Sequence, residues 1–358
     1  MNSEIKKVLN KIEKNGFEAY IVGGFVRDYL LCHQSNDIDI CTNALPKDIK
    51  TIFGNSKENG IYGSYNLKTK KNNYDITTYR KEFDFQGRNP SKIEYTNNLL
   101  EDLERRDFTI NAICMNTKGK ILDLKNGVQD LENKIIRSIK DPETSIKEDP
   151  LRILRAIRFA CTLNFQIEET LWNAIKKNPV LLDNLSSTRI KKELDAILIS
   201  PNFQKGFQIL SQLNLLEKLG LEPQNINYVN DVNGMWAQIK VTKDYPFTKN
   251  EKDQINQIKL LIKKELTPEE LFKHGLYPVL VAAKIQNIKE ETITKMYKKM
   301  PIETRKDLKI TFEEILKITQ KEPKEVKQIE DRIITMILKR ELKNKKDQII
   351  NQLKKEGA

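Results

Sequence analysis

The run IVGGFVRDYLL at residues 21–31, with NDIDICT at residues 36–42 close behind it, sets the architecture of the amino-terminal third. The pattern predicts an apolar strand that ends in Gly23 and Gly24 and a helix that begins there. Two glycines let backbone amides approach a ligand with no side chain in the way, and the helix start aims N–H groups and a positive dipole end at it. Phosphate suits such a place. The glycine and lysine positions of a Walker A loop or a Rossmann fingerprint are absent, and a glycine pair before a helix can also be a plain tight turn. In DIDI, strand alternation puts Asp37 and Asp39 on one face and Ile38 and Ile40 on the other. Two neighbouring carboxylates repel unless a cation lies between them, and a hard divalent ion such as Mg2+ suits carboxylate and phosphate oxygens together. An exposed strand edge carrying two acids is the plainer reading.

Working outward, YDITTYR at residues 74–80 is strand-like and offers Asp75 either as a third carboxylate or as a solvated strand acid. EDLERRDFTINAICM at residues 101–115 runs Arg105, Arg106 and Asp107 straight into an apolar stretch with helical spacing. Arginine supplies forked donors for phosphate or ribose and aspartate accepts from a ribose hydroxyl, although Asp107 could simply cap the helix. KEDPLRILRAIRF at residues 147–159 repeats Asp149, Arg152, Arg155 and Arg158 at every third position, a stripe along one predicted helix with Pro150 in its first turn. A salt-bridged helix surface would look the same.

From Glu18 to about Asp123 strand-like and helical runs mix, and everything after that reads helical, with a weakly periodic junction from Glu222 to about Lys252. The amino-terminal MNSEIKKVLNKIEKNG reads as an amphipathic helix with Ser3 as its cap and Gly16 as its stop. At 358 residues the chain is more than one domain's worth, and 62 Lys+Arg against 50 Asp+Glu leave a net charge of +12 that attracts polyanions. Four cysteines without CxxC spacing and only two histidines argue against a zinc site or a disulfide framework. No long apolar run is present, so the expectation is a soluble, cytoplasmic protein with no membrane partner.

In this order, the segments resemble the motifs of class II tRNA nucleotidyltransferases, the CCA-adding enzymes that share a head domain with bacterial poly(A) polymerases. GGFVRDYLL with DIDICT resembles motif A, LERRDFTINA motif B, DLKNGVQDLENKIIR motif C, EDPLR motif D and SSTRIKKEL motif E, while KMPIETRKDLKI resembles a segment near the tail. The resemblance implies an α+β fold: a mixed-sheet nucleotidyltransferase head of the polymerase β superfamily over residues 1–136, then an all-α neck (137–200), body (201–265) and tail (266–358). It implies two Mg2+ ions at Asp37 and Asp39, and Asp75 joins them as a candidate catalytic carboxylate on the strand reading above. Nucleotide contacts fall to Gly24 and Arg27 near the phosphates, with Gly23 and Asp28 as further nucleotide-binding candidates beside them, and to Arg106 and Asp107 at ribose and phosphate. Asp149 and Arg152 would read the base, supported by Arg155 and Arg158. The implied partners are tRNA, held at its 3′ end and elbow, with CTP and ATP as substrates.

Two positions depart from the family pattern and one stretch bears on the product. Thr188 stands where motif E commonly has glutamate, and Asn126 precedes Gly127 where a Gly-Gly pair is common, although asparagine tolerates a left-handed backbone. RKEFDFQGRNPSKIEY at residues 80–95 occupies the place of a flexible loop needed for A addition, which argues against a CC-only product. A CC-adding or A-adding enzyme, a poly(A) polymerase and a non-catalytic RNA-binding protein that keeps the fold are the alternatives; the last would be expected to have lost its metal carboxylates.

Overall fold

Strand β1 (Ala19–Val22) is the axis of the head. It pairs antiparallel with β2 (Asp37–Thr42) on one side and β8 (Cys114–Met115) on the other. The computed structural model describes residues 3–54, 58–59, 63–69, 72–86 and 89–356. Around β1 grows a seven-stranded mixed sheet in the order β3 (Glu58–Asn59), β4 (Ser64–Lys68), β5 (Asn73–Thr78), β2, β1, β8, β9 (Ile121–Leu122), in which only the β2–β5 pairing is parallel. Alternation along β2 works as the sequence suggests: Ile38 and Ile40 are buried, while Asp37 and Asp39 turn to the accessible face. Helices α1 (Ser3–Glu13), α2 (Gly24–Leu30) and α3 (Pro46–Phe53) pack against this sheet. Ser3 lies within α1, not ahead of it as a cap, and Gly16 adopts a positive φ just beyond its end.

A separate hairpin of β6 (Arg80–Gln86) and β7 (Asn89–Tyr95) follows the sheet, then α4 (Leu99–Glu104). Gly87 and Arg88 of that stretch lie outside the described residues. The apolar run after Asp107 is not a helix: Thr109–Asn111 makes one 3-10 turn before β8. The reason is tertiary. Thr109 donates its hydroxyl to Asp130 at 2.7 Å, and a Cβ on Gly127 would come within 2.2 Å of the Thr109 carbonyl oxygen, so this turn is pressed against α5 (Gly127–Glu132). Asn126, just before it, sits in the left-handed region at φ 56°, ψ 31°, as asparagine there permits.

Beyond the head come α6 (Pro142–Glu148), α7 (Leu151–Thr162), α8 (Glu169–Lys177), α9 (Ser187–Leu198), α10 (Phe203–Gln212) and α11 (Leu215–Lys218). The expectation that everything here is helical needs correction. Strands β10 (Ile135–Ile136) and β11 (Gln166–Ile167) form a short parallel pair beside α7. Asp149 also leaves the predicted helical stripe. It lies in extended backbone at φ −138°, ψ 96° between α6 and α7, because the ring of Pro150 disfavours the helical region for the residue before it.

By its internal contacts the chain divides into two compact units, Met1–Gly220 with Lys243–Tyr245, and Leu221–Thr242 with Pro246–Ala358. The second unit opens with an antiparallel pair, β12 (Leu221–Pro223) and β13 (Ile239–Val241), inside the weakly periodic junction. Its helices are α12 (Val232–Ala237), α13 (Lys249–Leu261), α14 (Pro268–His274), α15 (Leu276–Ile285), α16 (Glu290–Lys298), α17 (Phe312–Thr319), α18 (Pro323–Leu338) and α19 (Lys346–Glu356). In α18 the three- and four-residue spacing of Val326, Ile329, Ile333 and Ile337 builds one buried face. Among the described residues no helix is long and apolar enough to cross a membrane.

Candidate active site

Because Val22 and Asp39 are cross-strand partners, the backbone leaving β1 passes over the Asp39 carboxylate. Gly23 makes that passage at φ 80°, and a Cβ there would lie 3.0 Å from Asp39 Oδ2 and 3.6 Å from Arg106 Nη1. Only glycine fits without displacing the acid. Here opens a cavity of about 670 Å³, wholly within the first unit. Eight arginines and four carboxylates line it, and no lysine does.

Asp39 is reached by solvent yet crowded by protein. Desolvation pushes its pKa up, Arg106 opposes the shift, and the negative charges of Asp75 and Asp37 add to it. Asp75 stands level with Asp39 on the parallel neighbour β5; burial raises its pKa too, and its Oδ1 is buried without a partner among the described residues. Asp37 is exposed at the start of β2 and accepts from Asn73 Nδ2 at 3.4 Å. Neither Asp37 nor Asp75 lines the cavity, and no cluster of three or more His, Cys, Asp or Glu among the described residues could by itself hold a metal.

On the walls, arginines are held by specific acceptors. Asp102, fully buried on α4, accepts from Arg105 Nε at 2.8 Å and lies 3.5 Å from Arg106 Nη2. Burial works against the Arg106 charge, but Asp102 and its other neighbours outweigh it and raise its pKa; its Nε is buried without a partner among the described residues. Asp107 accepts from Phe108 N, Asn111 Nδ2 and Arg155 Nε at 2.8, 3.0 and 2.7 Å. Burial alone would raise the Asp107 pKa, yet Arg155 and Asn111 hold it well below the carboxylate range. Arg27 donates to Asn111 Oδ1 at 2.7 Å and pairs with Asp28, which therefore serves Arg27 and does not line the cavity.

Helix α7 brings the stripe in. Arg155 and Arg158 follow Arg152 along it, and Arg158 Nε donates to Glu193 Oε2 of α9 at 2.5 Å. That pair links α7 to α9 without the acid that Thr188 replaces. Phe159 is the common platform: the guanidinium carbons of Arg27, Arg155 and Arg158 lie 4.9, 5.4 and 4.1 Å from its ring centroid. These arginines are partly or fully buried, which excludes the simple solvated helix surface.

Ten of the thirteen site residues expected from sequence line this one cavity. Arg80, Glu82 and Phe85 from the hairpin, Asn111, Phe159 and Arg189 line it as well and were not singled out. Arginine scarcity was the available signal, since the chain has only thirteen arginines among its 62 basic residues.

A family model described as the poly A polymerase head domain matches residues 19–137, and one described as "Probable RNA and SrmB- binding site of polymerase A" matches residues 164–224. The chain is 34% identical to the CCA-adding enzyme of Ligilactobacillus salivarius over 87% of each, and 34% identical to that of Lactobacillus helveticus over 96% of this chain and 94% of the relative. The crystal structure of the Bacillus stearothermophilus CCA-adding enzyme in complex with CTP matches with a TM-score of 0.87 at 25% identity, covering 99% of this chain and 98% of that one. Motif order, cavity and relatives agree: the chain belongs to the CCA-adding enzymes, the tRNA nucleotidyltransferases built on a poly(A)-polymerase head domain.

Proposed function

We propose that the chain adds C, C and A in turn to the 3′ end of tRNA, taking them from CTP and ATP, releasing pyrophosphate and using no nucleic-acid template. One observation carries this reading: a single cavity joins a carboxylate on its floor, eight arginines on its walls and the Asp149–Arg152 pair. Relatives named as CCA-adding enzymes support it, as does the likeness to one solved with CTP. A tRNA substrate sets the reaction in the cytoplasm.

Asp37 and Asp39 would hold Mg2+. Their oxygens are the donors such an ion prefers, the orphaned Oδ1 of Asp75 marks further uncompensated negative charge, and an ion with so few protein ligands would take the rest from phosphates and water. When bound, it would lower the pKa of the ribose 3′-hydroxyl and steady the leaving pyrophosphate. The protein's part is position and charge. Gly23, Gly24 and Arg27, which Asp28 braces, meet the phosphates; Arg106 meets phosphate and ribose. Asp107, whose oxygens are already engaged, acts chiefly by aiming Arg155.

Cytosine and adenine each present an amino donor beside a ring-nitrogen acceptor, whereas uracil and guanine present a carbonyl beside an N–H. Asp149 only accepts and Arg152 only donates, so the pair matches C and A and opposes U and G. The hairpin residues Arg80, Glu82 and Phe85 at the cavity favour full CCA over CC addition. The division into head, neck, body and tail at 136, 200 and 265 belongs to the same reading, with the tail gripping tRNA toward its elbow.

The test incubates tRNA transcripts ending before CCA, after CC, or complete with Mg2+ and labelled CTP, ATP or both. Three, one and no added residues are expected with both nucleotides present. Growth stopping at CC, or a long A tail, would overturn the reading.

A further inference from the structure

Selecting a base with one guanidinium requires that the guanidinium not turn. Helix α6 starts because Asp141 caps it, accepting from Thr144 N at 2.9 Å, and because Pro142 fits its first turn. This start puts Ser145 on the inner face, 1% exposed. The chain then breaks at Asp149 and Pro150, and α7 begins with Arg152 close to α6. Arg152 Nη1 donates to Ser145 Oγ at 2.6 Å and lies 3.4 Å from the Ser145 carbonyl oxygen. Its Nη2 donates at 2.7 Å to the carbonyl of Arg105, just past the end of α4. Two nitrogens of one planar group are thus pinned to two different elements, and a plane pinned at two points keeps one edge toward the cavity. Both side chains are buried, so water cannot easily replace the serine.

We propose that Ser145 is a positioning residue for base selection, holding Arg152 so that it donates to the ring nitrogen of C or A and opposes U and G. Ser145 does not line the cavity and acts only through Arg152. This rests on the base-reading role given above to Asp149 and Arg152.

The test compares relative kcat/KM for CTP, ATP, UTP and GTP, on a tRNA transcript lacking CCA and on one ending in CC, among the parent, Ser145→Ala, Ser145→Cys, Ser145→Thr and Asp149→Ala, with Tm for each. Ser145→Ala and the near-isosteric Ser145→Cys are expected to lose about tenfold in preference for CTP over UTP and ATP over GTP, while Ser145→Thr retains it. A uniform loss for all four nucleotides, or an unchanged ratio while Asp149→Ala shifts it, would overturn the clamp and leave base reading standing. An unchanged ratio in Asp149→Ala would overturn the base-reading assignment and the clamp with it.

Discussion

The cavity of the first unit and the surface of the second are both basic, but they use different residues. The chain holds thirteen arginines and 49 lysines; eight of the arginines line the cavity, where no lysine does, whereas the second unit has three arginines against 24 lysines. A composition so rich in lysine makes lysine the default cation, so eight arginines gathered with no lysine mark a place where an ammonium would not serve. In the cavity three of the arginines, Arg27, Arg155 and Arg158, stack on Phe159, pinned by carboxylates and amides and partly or fully withdrawn from water. A guanidinium keeps its charge when buried and divides five donors between anchor and ligand, while a buried ammonium is readily neutralised. On an open surface that reads phosphate by charge alone, a lysine does as well. On the proposed function, the difference separates a region that positions a reaction from one that attracts a polyanion.

The largest test of that separation is Asp39→Ala. If the cavity does the chemistry and the second unit the holding, turnover falls by about a thousandfold or more, on the scale of lost electrostatic stabilisation of a transition state. Affinity for tRNA, measured by filter binding, stays within a few-fold of the parent. Turnover close to the parent's would remove Asp39 from the chemistry.

Smaller, and aimed at the arginine–lysine contrast itself, is Arg158→Lys beside Arg340→Lys. Arg158 donates Nε to Glu193 and rests on Phe159, which leaves both Nη groups without a protein acceptor among the described residues and able to meet a nucleotide. Lysine keeps the charge and loses the fork. A charge-assisted hydrogen bond contributes about 1.5–3 kcal/mol, so kcat/KM for CTP is expected to fall roughly tenfold to a hundredfold. Arg340, exposed in the second unit, should tolerate lysine within about twofold. Equal tolerance at both positions would reduce the arginine partition to an accident of composition.

Much of the fold could be read from local pattern, because two-residue alternation in DIDI and helical spacing in α18 are imposed by burial on one side. What escaped depends on contacts between distant segments. Thr109–Asn111 looks helical by its apolar neighbours, but its side chains bond to Asp130, Asp107 and Arg27, and Gly127 presses on its backbone. Asp149 fits the three-residue repeat of arginines yet is not helical, because Pro150 follows it and that local restriction prevails over the repeat. Phe159 carried no signal of its own: a phenylalanine after an arginine is ordinary until Arg27, more than a hundred residues earlier, arrives on its ring. Site residues within quoted motifs came together because each motif holds its own strand or turn. Arg80, Glu82 and Arg189 also stand in quoted stretches, but nothing local to YDITTYR, RKEFDFQGRNPSKIEY or SSTRIKKEL shows that these side chains reach the cavity, which depends on tertiary approach.

The smallest expected effect belongs to the lysine surface. Lys321, Lys324 and Lys327 are exposed, the first just before α18 and the others in its first two turns, on the side away from buried Val326 and Ile329. If such residues meet tRNA phosphates, each contact releases condensed counterions, and log Kd against log salt loses slope by roughly 0.7–0.9 per contact removed. Changing all three to Gln should therefore weaken tRNA binding several-fold at low salt, with the gap closing as salt rises. Turnover at saturating tRNA and the ranking of the four nucleotides should not move, because neither depends on how the RNA is gripped far from its end. A changed nucleotide ranking would mean that this face takes part in selection, and the contrast between the two regions would fail. An unchanged salt slope would show that the phosphates are met by other lysines, which a scan along α19 at Lys354 and Lys355 would then locate.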